Sequence, residues 1–316
     1  MKFSIGIPAY KATFLKECID SILNQTFLDY ELIIVNDASP EDIDSIVNSY
    51  SDSRIRYFKN AKNFGAENLV DNWNKCLTFA LGEYFILMGD DDMMCSDYLE
   101  EFNRLINKHP KLSVYHCRSM IIDENSNFIT LTETRPEFES VYENIWHCIT
   151  EKRVQFISDF VYQRKLLVKN GGFYKIPLAW ASDDISAYIA SMGNGIANTN
   201  KPVFNYRKNA QTISSSGNFE FKLQAIKEEQ FWLKSFLNKI TPSNKVDRHL
   251  HQMISTHLNN YATKKKVYTL SSNLKQIKLS RIGYWYSILR QYNISIPVFV
   301  YAVIIRIKDK RKLKAS

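Results

Sequence analysis

Several common chemistries leave no trace in this chain of 316 residues. There is no GxxxxGK followed by Ser or Thr, which excludes a P-loop. No GxGxxG follows the first apolar strand, so the usual dinucleotide fingerprint is missing too. There is no GxSxG elbow. The five cysteines (Cys18, Cys76, Cys95, Cys117 and Cys148) are widely spaced and form no CxxC. They read as free thiols in a reducing compartment, with Cys18 and Cys76 as small core residues. The six histidines are scattered without acidic or Cys partners, which argues against zinc. With Gly at 10 and Pro at 8, no collagen-like or linker-dominated region exists. No apolar run reaches the ~18 residues of a membrane span. The opening apolar run stops at Pro8, too short for a secretory signal. The expectation is a cytoplasmic protein.

What is present suits a folded globular protein. Hydrophobic residues make up 45% and charged residues 23%, an ordinary globular balance. A chain of this size buries about three quarters of its surface on folding, enough for a core without staples. The net charge of +8 is unevenly spread. Residues 261–316 carry 13 Lys and Arg against Asp309 alone, so the rest of the chain is mildly acidic. Such asymmetry points to an anionic partner for the basic segment.

Strand and helix patterns alternate over the first 120 residues. KFSIGI (2–7), YELIIVND (30–37), IRYFKN (55–60), EYFILMG (83–89) and SVYHCRSMII (113–122) read as strands. Residues 13–23, 66–81 and 96–108 have helical spacing, and Ser39-Pro40-Glu41-Asp42 reads as a helix start. This alternation predicts an α/β, doubly wound, mostly parallel sheet with helices on both faces. Residues 196–207 read as two short strands around Pro202, and from about 218 the pattern is mainly helical.

In open α/β sheets, ligands bind beyond the carboxyl ends of the strands. Pro8, Ala9 and Tyr10 follow the first strand, Asp37 the second, and Asp90-Asp91-Asp92 the fourth. Three adjacent carboxylates repel unless a cation neutralises them, and Mg²⁺ favours carboxylates together with substrate phosphates. The triplet therefore suggests a metal bridging to a diphosphate; a solvated acidic helix start is the other reading. A second acidic pair, Asp183-Asp184, begins a helix. It reads as a general base or as a helix cap.

Together these residues resemble family 2 glycosyltransferases of the GT-A fold. The motifs are Ile7-Pro8-Ala9-Tyr10, Val35-Asn36-Asp37-Ala38-Ser39, Asn63-Phe64-Gly65 with Asn72, Gly82-Glu83-Tyr84, and Gly89-Asp90-Asp91-Asp92. Weaker ones follow at Gly171-Gly172-Phe173, Ser182-Asp183-Asp184 and Tyr206-Arg207. The resemblance covers about residues 1–215. It implies a nucleotide-sugar-binding half over 1–120, an acceptor half over 121–215, and a helical, basic extension over 216–316. It implies that Pro8, Ala9, Tyr10, Asp37, Asn63, Gly65 and Asn72 hold the nucleotide, with Asp90 and Asp91 at the ribose. A divalent metal, Mg or Mn, would sit on Asp90 and Asp92, and Arg207 would lie near the diphosphate. Asp183 or Asp184 would be the base. The implied reaction is inverting transfer from a nucleoside-diphosphate sugar, a UDP-sugar first among them, to a glycan or lipid-linked hydroxyl in surface polysaccharide assembly. The chain departs from the family at Gly89, where an acid is usual, and lacks the histidine often found after Arg207. These departures keep open a catalytically silent nucleotide-sugar-binding scaffold.

The basic segment contains RIGYWYSILRQY (281–292), then ISIPVFVYAVII (294–305), too short to span a membrane. Basic, aromatic, amphipathic segments settle in the interface of anionic membranes. The expectation is a peripheral protein on the inner membrane face; a helical packing element is the alternative, and the lack of a reader motif argues against nucleic acid.

Overall fold

The computed structural model describes residues 1–209, 218–240, 242, 244–274 and 282–315, with the side chains of 282, 283 and 309–315 excepted. The 215/216 boundary and Lys275, Lys278 and Arg281 of the basic segment lie outside the described residues.

The first half repeats strand and helix. β1 (Phe3–Ala9), α1 (Leu15–Leu23), β2 (Tyr30–Asn36), α2 (Ile43–Asn48), β3 (Ile55–Lys59), α3 (Leu69–Phe79) and β4 (Tyr84–Leu87) follow in order. β2 is buried along its whole length because its alternate residues feed two cores. Leu32 and Ile34 pack with Leu15, Cys18 and Ile19 of α1. Ile33 and Val35 pack with Val70, Trp73 and Cys76 of α3 on the other face. That double burial is why the strand reads as one apolar run. A Cβ at Gly6 would lie 2.8 Å from the Cys76 Cβ, so glycine lets α3 cross directly over β1.

Then come β5 (Met93–Met94), α4 (Tyr98–Lys108), β6 (Val114–Ile122), β7 (Phe128–Leu131), β8 (Phe138–Glu139), α5 (Val141–Ile149), β9 (Phe160–Gln163), α6 (Arg164–Lys169), α7 (Ser182–Ser191) and β10 (Ile196–Arg207). The main strand order is β3-β2-β1-β4-β9-β6-β10-β5. Strands β1 to β4 form the expected parallel ladder, and β6 pairs with β10 in parallel. Beyond β4 the sheet is mixed rather than mostly parallel: β9 runs antiparallel to both β4 and β6.

Two local expectations are corrected. α2 begins at Ile43, not at Pro40, because the Asp42 side chain accepts from the Ser45 N–H at 3.0 Å and caps it there. Residues 196–207 form one strand, not two, with its register shifted at Pro202, which has no N–H to give the ladder.

The helical extension holds α8 (Phe219–Lys239), α9 (Lys245–Asn273), α10 (Ile282–Gln291) and α11 (Ile296–Ala315). Leu233, Phe236, Ile254 and Leu258 of α8 and α9 pack with Ile145 of α5 and with Ile185 and Tyr188 of α7. The extension therefore buttresses the helix that carries Asp183 and Asp184.

Candidate functional site

The carboxyl ends of β1, β2 and β4 open onto a cavity of about 660 Å³. Five carboxylates line it: Asp37, Asp90, Asp91, Asp92 and Asp183. Pro8, Tyr10, Asn63, Gly65 and Asn72 line it as well.

Asp37 and Asp90 tie loops together. Asp37 accepts from Asn60 Nδ2 at 2.8 Å and from the Phe64 N–H at 3.1 Å. Asn60 Nδ2 also donates to Asn72 Oδ1 at 3.0 Å, which links the ends of β2, β3 and α3. Gly65, at φ +80°, starts the 3₁₀ turn Ala66–Asn68 on the cavity rim. Asp90 Oδ2 accepts from the Tyr10 and Lys11 N–H groups, both at 2.8 Å, and joins the end of β4 to that of β1.

Asp91 and Asp92 are held from β10 and its following residues. Asp92 Oδ1 accepts from the Arg207 N–H at 2.8 Å, and Asp91 Oδ2 from Asn209 Nδ2 at 2.7 Å. A Cβ at Gly89 would lie 2.7 Å from Asp92 Oδ2, so the glycine makes room for that carboxylate. Burial, then the charge of Asp91, pushes Asp90 up to about 6. The same two causes hold Asp92 well above the usual carboxylate range. Crowded carboxylates with raised proton affinity are relieved by a hard cation. No three His, Cys, Asp or Glu among the described residues form a protein-only metal cage. Mg²⁺ and Mn²⁺ are held by one or two carboxylates when phosphate and water complete their shell. Asp90 and Asp92 fit such a group.

The distal acids separate. Asp183 lines the cavity; Asp184 does not. Asp184 Oδ1 accepts from Gln155 Nε2 at 2.6 Å, and Gln155 Oε1 accepts from buried Arg135 at 3.1 Å. Successive helix residues point about 100° apart, which lets neighbours face different surroundings. The approach to α7 is strained: Leu178, Ala179 and Ala181 have φ of 60°, 53° and 83°. Each such residue costs on the order of 1–3 kcal/mol and persists only when its surroundings enforce it. Two hydroxyls help to do so. Ser182 Oγ accepts from the Ile176 N–H at 3.3 Å, and Ser186 Oγ from the Tyr174 N–H at 2.9 Å. Burial, then Asp184, raises the Asp183 carboxyl well above its ordinary value.

Three expected site residues stand elsewhere. Ala9 is wholly buried in the core, and its carbonyl accepts from the Asp37 N–H at 2.9 Å. Asp184 belongs to the Gln155 network. Arg207 does not line the cavity and stands in a buried cluster behind the acids. Its guanidinium, fully buried, meets Glu17 at 2.8 Å, the Asp91 carbonyl at 2.8 Å and the Phe14 ring at 4.2 Å.

Sequence patterns gave no notice of Lys11, Trp73, Gln155, Phe156 or Leu178 in the lining. Phe156 stacks on Tyr206 with ring centroids 3.7 Å apart and planes 7° apart, and both rings line the cavity. Burial, then Asp92, Asp91 and Asp183, pushes the Tyr206 hydroxyl up to about 12. Only the Tyr206-Arg207 motif hinted at this residue; residue 156 sits in a stretch with no periodic pattern.

An open α/β sheet with an acid-lined cavity at its strand ends defines a nucleotide-binding class of fold. The profile of glycosyl transferase family 2 matches residues 4–169, and the chain belongs to that family. An uncharacterized glycosyltransferase of Rickettsia typhi is 32% identical over 132 residues, 39% of this chain and 38% of that protein. The chain thus spans well under half the length of that relative. The uncharacterized glycosyltransferase EpsJ of Bacillus subtilis is 24% identical over 223 residues, 67% of this chain and 62% of EpsJ. Among solved structures, S. aureus TarS 1-349 in complex with UDP-GlcNAc superposes with a TM-score of 0.66 at 17% identity, over 100% of this chain and 91% of that one. The mannosyltransferase PcManGT of Pyrobaculum calidifontis, in complex with GDP-Man and Mn²⁺, gives 0.56 at 16%, over 98% and 88%. At such identities the likeness shows the fold, which is of the GT-A type with a helical C-terminal region.

Proposed function

We propose that the chain is an inverting, metal-dependent glycosyltransferase. It moves a sugar from a nucleoside-diphosphate sugar, UDP-linked by preference, to a hydroxyl of a glycan or lipid-linked acceptor in surface polysaccharide assembly. One observation carries the reading: Asp183, from α7, stands in the same cavity as Asp90, Asp91 and Asp92. The two acid groups divide the work. Those after β4 take the diphosphate end, and Asp183 takes the acceptor. A silent scaffold would have no use for the strained approach that precedes Asp183. The UDP-GlcNAc bound by TarS and the GDP-Man and Mn²⁺ bound by PcManGT support the donor and metal classes.

Asp183 removes the acceptor hydroxyl proton as its oxygen attacks the anomeric carbon from the face opposite the diphosphate. The new C–O bond forms, the bond to the diphosphate oxygen breaks, and the nucleoside diphosphate leaves. Asp90 and Asp92 would hold a divalent cation, which would supply the positive charge that makes the diphosphate a competent leaving group. Tyr10, Asp37, Asn63, Gly65 and Asn72 hold the nucleoside. No protein nucleophile is needed.

Thermal shift with UDP-, GDP- and dTDP-sugars, in Mn²⁺ and in EDTA, tests the reading. A ligand that binds only the native state raises apparent stability. One nucleotide series should raise the transition in Mn²⁺ and not in EDTA. No shift with any of them would end the glycosyltransferase reading, and equal shifts in EDTA would end the metal role.

A further inference from the structure

The C-terminal helices carry an apolar surface that the catalytic reading does not use. α10 and α11 are joined through a bend of 115° between Tyr284–Gln291 and Ile296–Lys308. Among the described residues no single helix is long and apolar enough to cross a membrane. The inner sides of the pair are packed: Trp285, Ile288, Tyr292, Ile294 and Ala302 are buried with Leu223 and Leu270. The outer side is different. Ile296, Val300, Ile304 and Ile307 are exposed, from 71% at Ile296 to 42% at Ile304. They recur at intervals of four, four and three residues, which puts them on one helix face. Tyr301 beside them and Tyr286 on α10 are exposed too. A shallow groove between the helices, lined by Trp285, Leu289, Ile294 and Phe299 among others, continues the apolar surface.

Charge selects the occupant. Residues 306–314 hold six Lys and Arg and one acid, and residues 261–316 hold 13 against that same acid. A second copy of the chain would set two such basic segments side by side. An anionic lipid surface complements them and takes up the exposed apolar stripe. We propose that α10 and α11 lie in the plane of an anionic membrane, with Ile296, Val300, Ile304 and Ile307 at the acyl boundary and the exposed Lys308 among the headgroups. The surface is the cytoplasmic leaflet, whose anionic lipids draw polybasic segments. By length and composition the bent pair together could pass for a broken span, but its inner side is packed against Leu223 and Leu270, which places it on the bilayer rather than across it. Held there, the catalytic cavity would work on acceptors that are themselves lipid-linked.

Co-sedimentation of the full chain with vesicles tests this. The probes are phosphatidylcholine alone and phosphatidylcholine mixed with phosphatidylglycerol. The chain should sediment with the mixed vesicles and much less with the neutral ones. High salt should release part of it, since the screening length falls from about 10 Å at 0.1 M to about 3 Å at 1 M. The double variant Val300→Glu with Ile304→Glu sets two acids on the exposed stripe and leaves the packed side alone. It should weaken vesicle binding by on the order of tenfold or more, with the circular dichroism and the nucleotide thermal shift unchanged. Equal binding to neutral vesicles, no binding to either, or wild-type binding by the double variant would overturn the proposal. So would a stripe that, by sedimentation velocity, joins two chains and ignores vesicles. The nucleotide shift in the same samples reports the catalytic reading separately, so the two can fail independently.

Discussion

Asp184 is bound by Gln155 at 2.6 Å, and that bond sets it apart from Asp183, its neighbour in the chain. With Arg135 behind Gln155, the Asp184 carboxylate is committed to a buried network, and Asp183 is the acid that lines the cavity. Replacing Asp183 by Asn should lower turnover by about 10²–10⁴-fold, the usual worth of a general base. Nucleotide affinity should hardly move. Asp184→Asn keeps an oxygen for Gln155 and should retain most of the activity. Steady-state kinetics with the donor found by thermal shift decides between them. The reverse ranking would make Asp184 the base.

Gly89 is one of the two positions where the chain departs from the family pattern, and it has a physical account. Asp92 Oδ2 stands 2.7 Å from where a Cβ would go. Gly89→Ala should therefore displace a carboxylate that the Arg207 N–H holds on its other oxygen. The expected outcome is metal-dependent nucleotide binding weakened by about tenfold, or ~1.4 kcal/mol, with binding in EDTA unaffected. Asp92→Asn should act in the same direction. Calorimetry with UDP in Mn²⁺ and in EDTA measures both. If Gly89→Ala binds UDP as the parent does, the close approach has no functional weight.

The parallel half of the fold was legible because strands buried on both faces leave unbroken apolar runs, as in Leu32 to Val35. The acids at the strand ends were legible for the same reason: an Asp that follows such a run must stand at the sheet edge. The second half was less so. β9 comes after residues 150–159, which form no α-helix or strand, and its place between β4 and β6 is set by long-range packing. Gln155 and Phe156 reach the cavity from that stretch, with no local pattern to mark them. For Arg207 the motif gives a position along the chain, not the direction its side chain takes. Only the buried contacts with Glu17 and Phe14 reveal that direction.

Tyr206 offers a test of the division between the two acid groups. Its ring is fixed on Phe156, and no hydrogen bond joins its hydroxyl to another described residue. Burial, then Asp92, Asp91 and Asp183, raises the proton affinity of the hydroxyl, which like any phenol is a donor at neutral pH. Tyr206→Phe keeps the stack and removes only that donor. A hydrogen bond to a charged group is worth roughly 1.5–3 kcal/mol. UDP affinity in Mn²⁺ should therefore fall by roughly tenfold or more, while uridine affinity and thermal stability stay level. Equal losses for uridine and UDP would reduce Tyr206 to a packing role.

Asp159 gives a dependence of stability on pH whose sign can be worked out in advance. It is wholly buried, with Ser119 Oγ as one partner and the Phe156 N–H at 2.7 Å as another. Burial pushes its carboxyl up to about 7, against the opposing pull of Ser119, Phe156 and Arg135. His116 Nε2 stands 3.6 Å away, but burial and then Arg135 hold that imidazole well below its ordinary value, so it stays neutral near pH 7. The unfolded carboxyl titrates near its usual value of about 4. Between about pH 4 and pH 7 the native state therefore holds a proton that the unfolded chain has lost, and stability falls as pH rises. A shift of about three units amounts to about 4 kcal/mol at most, complete once the pH passes the folded value. Asp159→Asn does not titrate. Its Oδ1 can still accept from Phe156, and its amide can donate to Ser119 Oγ. Relative to the parent, the variant should gain stability steadily between about pH 4 and pH 8, by up to that amount. Urea unfolding of both proteins across that range measures it. Parallel curves would mean that Asp159 ionises in the native state as readily as in the unfolded chain, with the nearby Arg135 offsetting its burial.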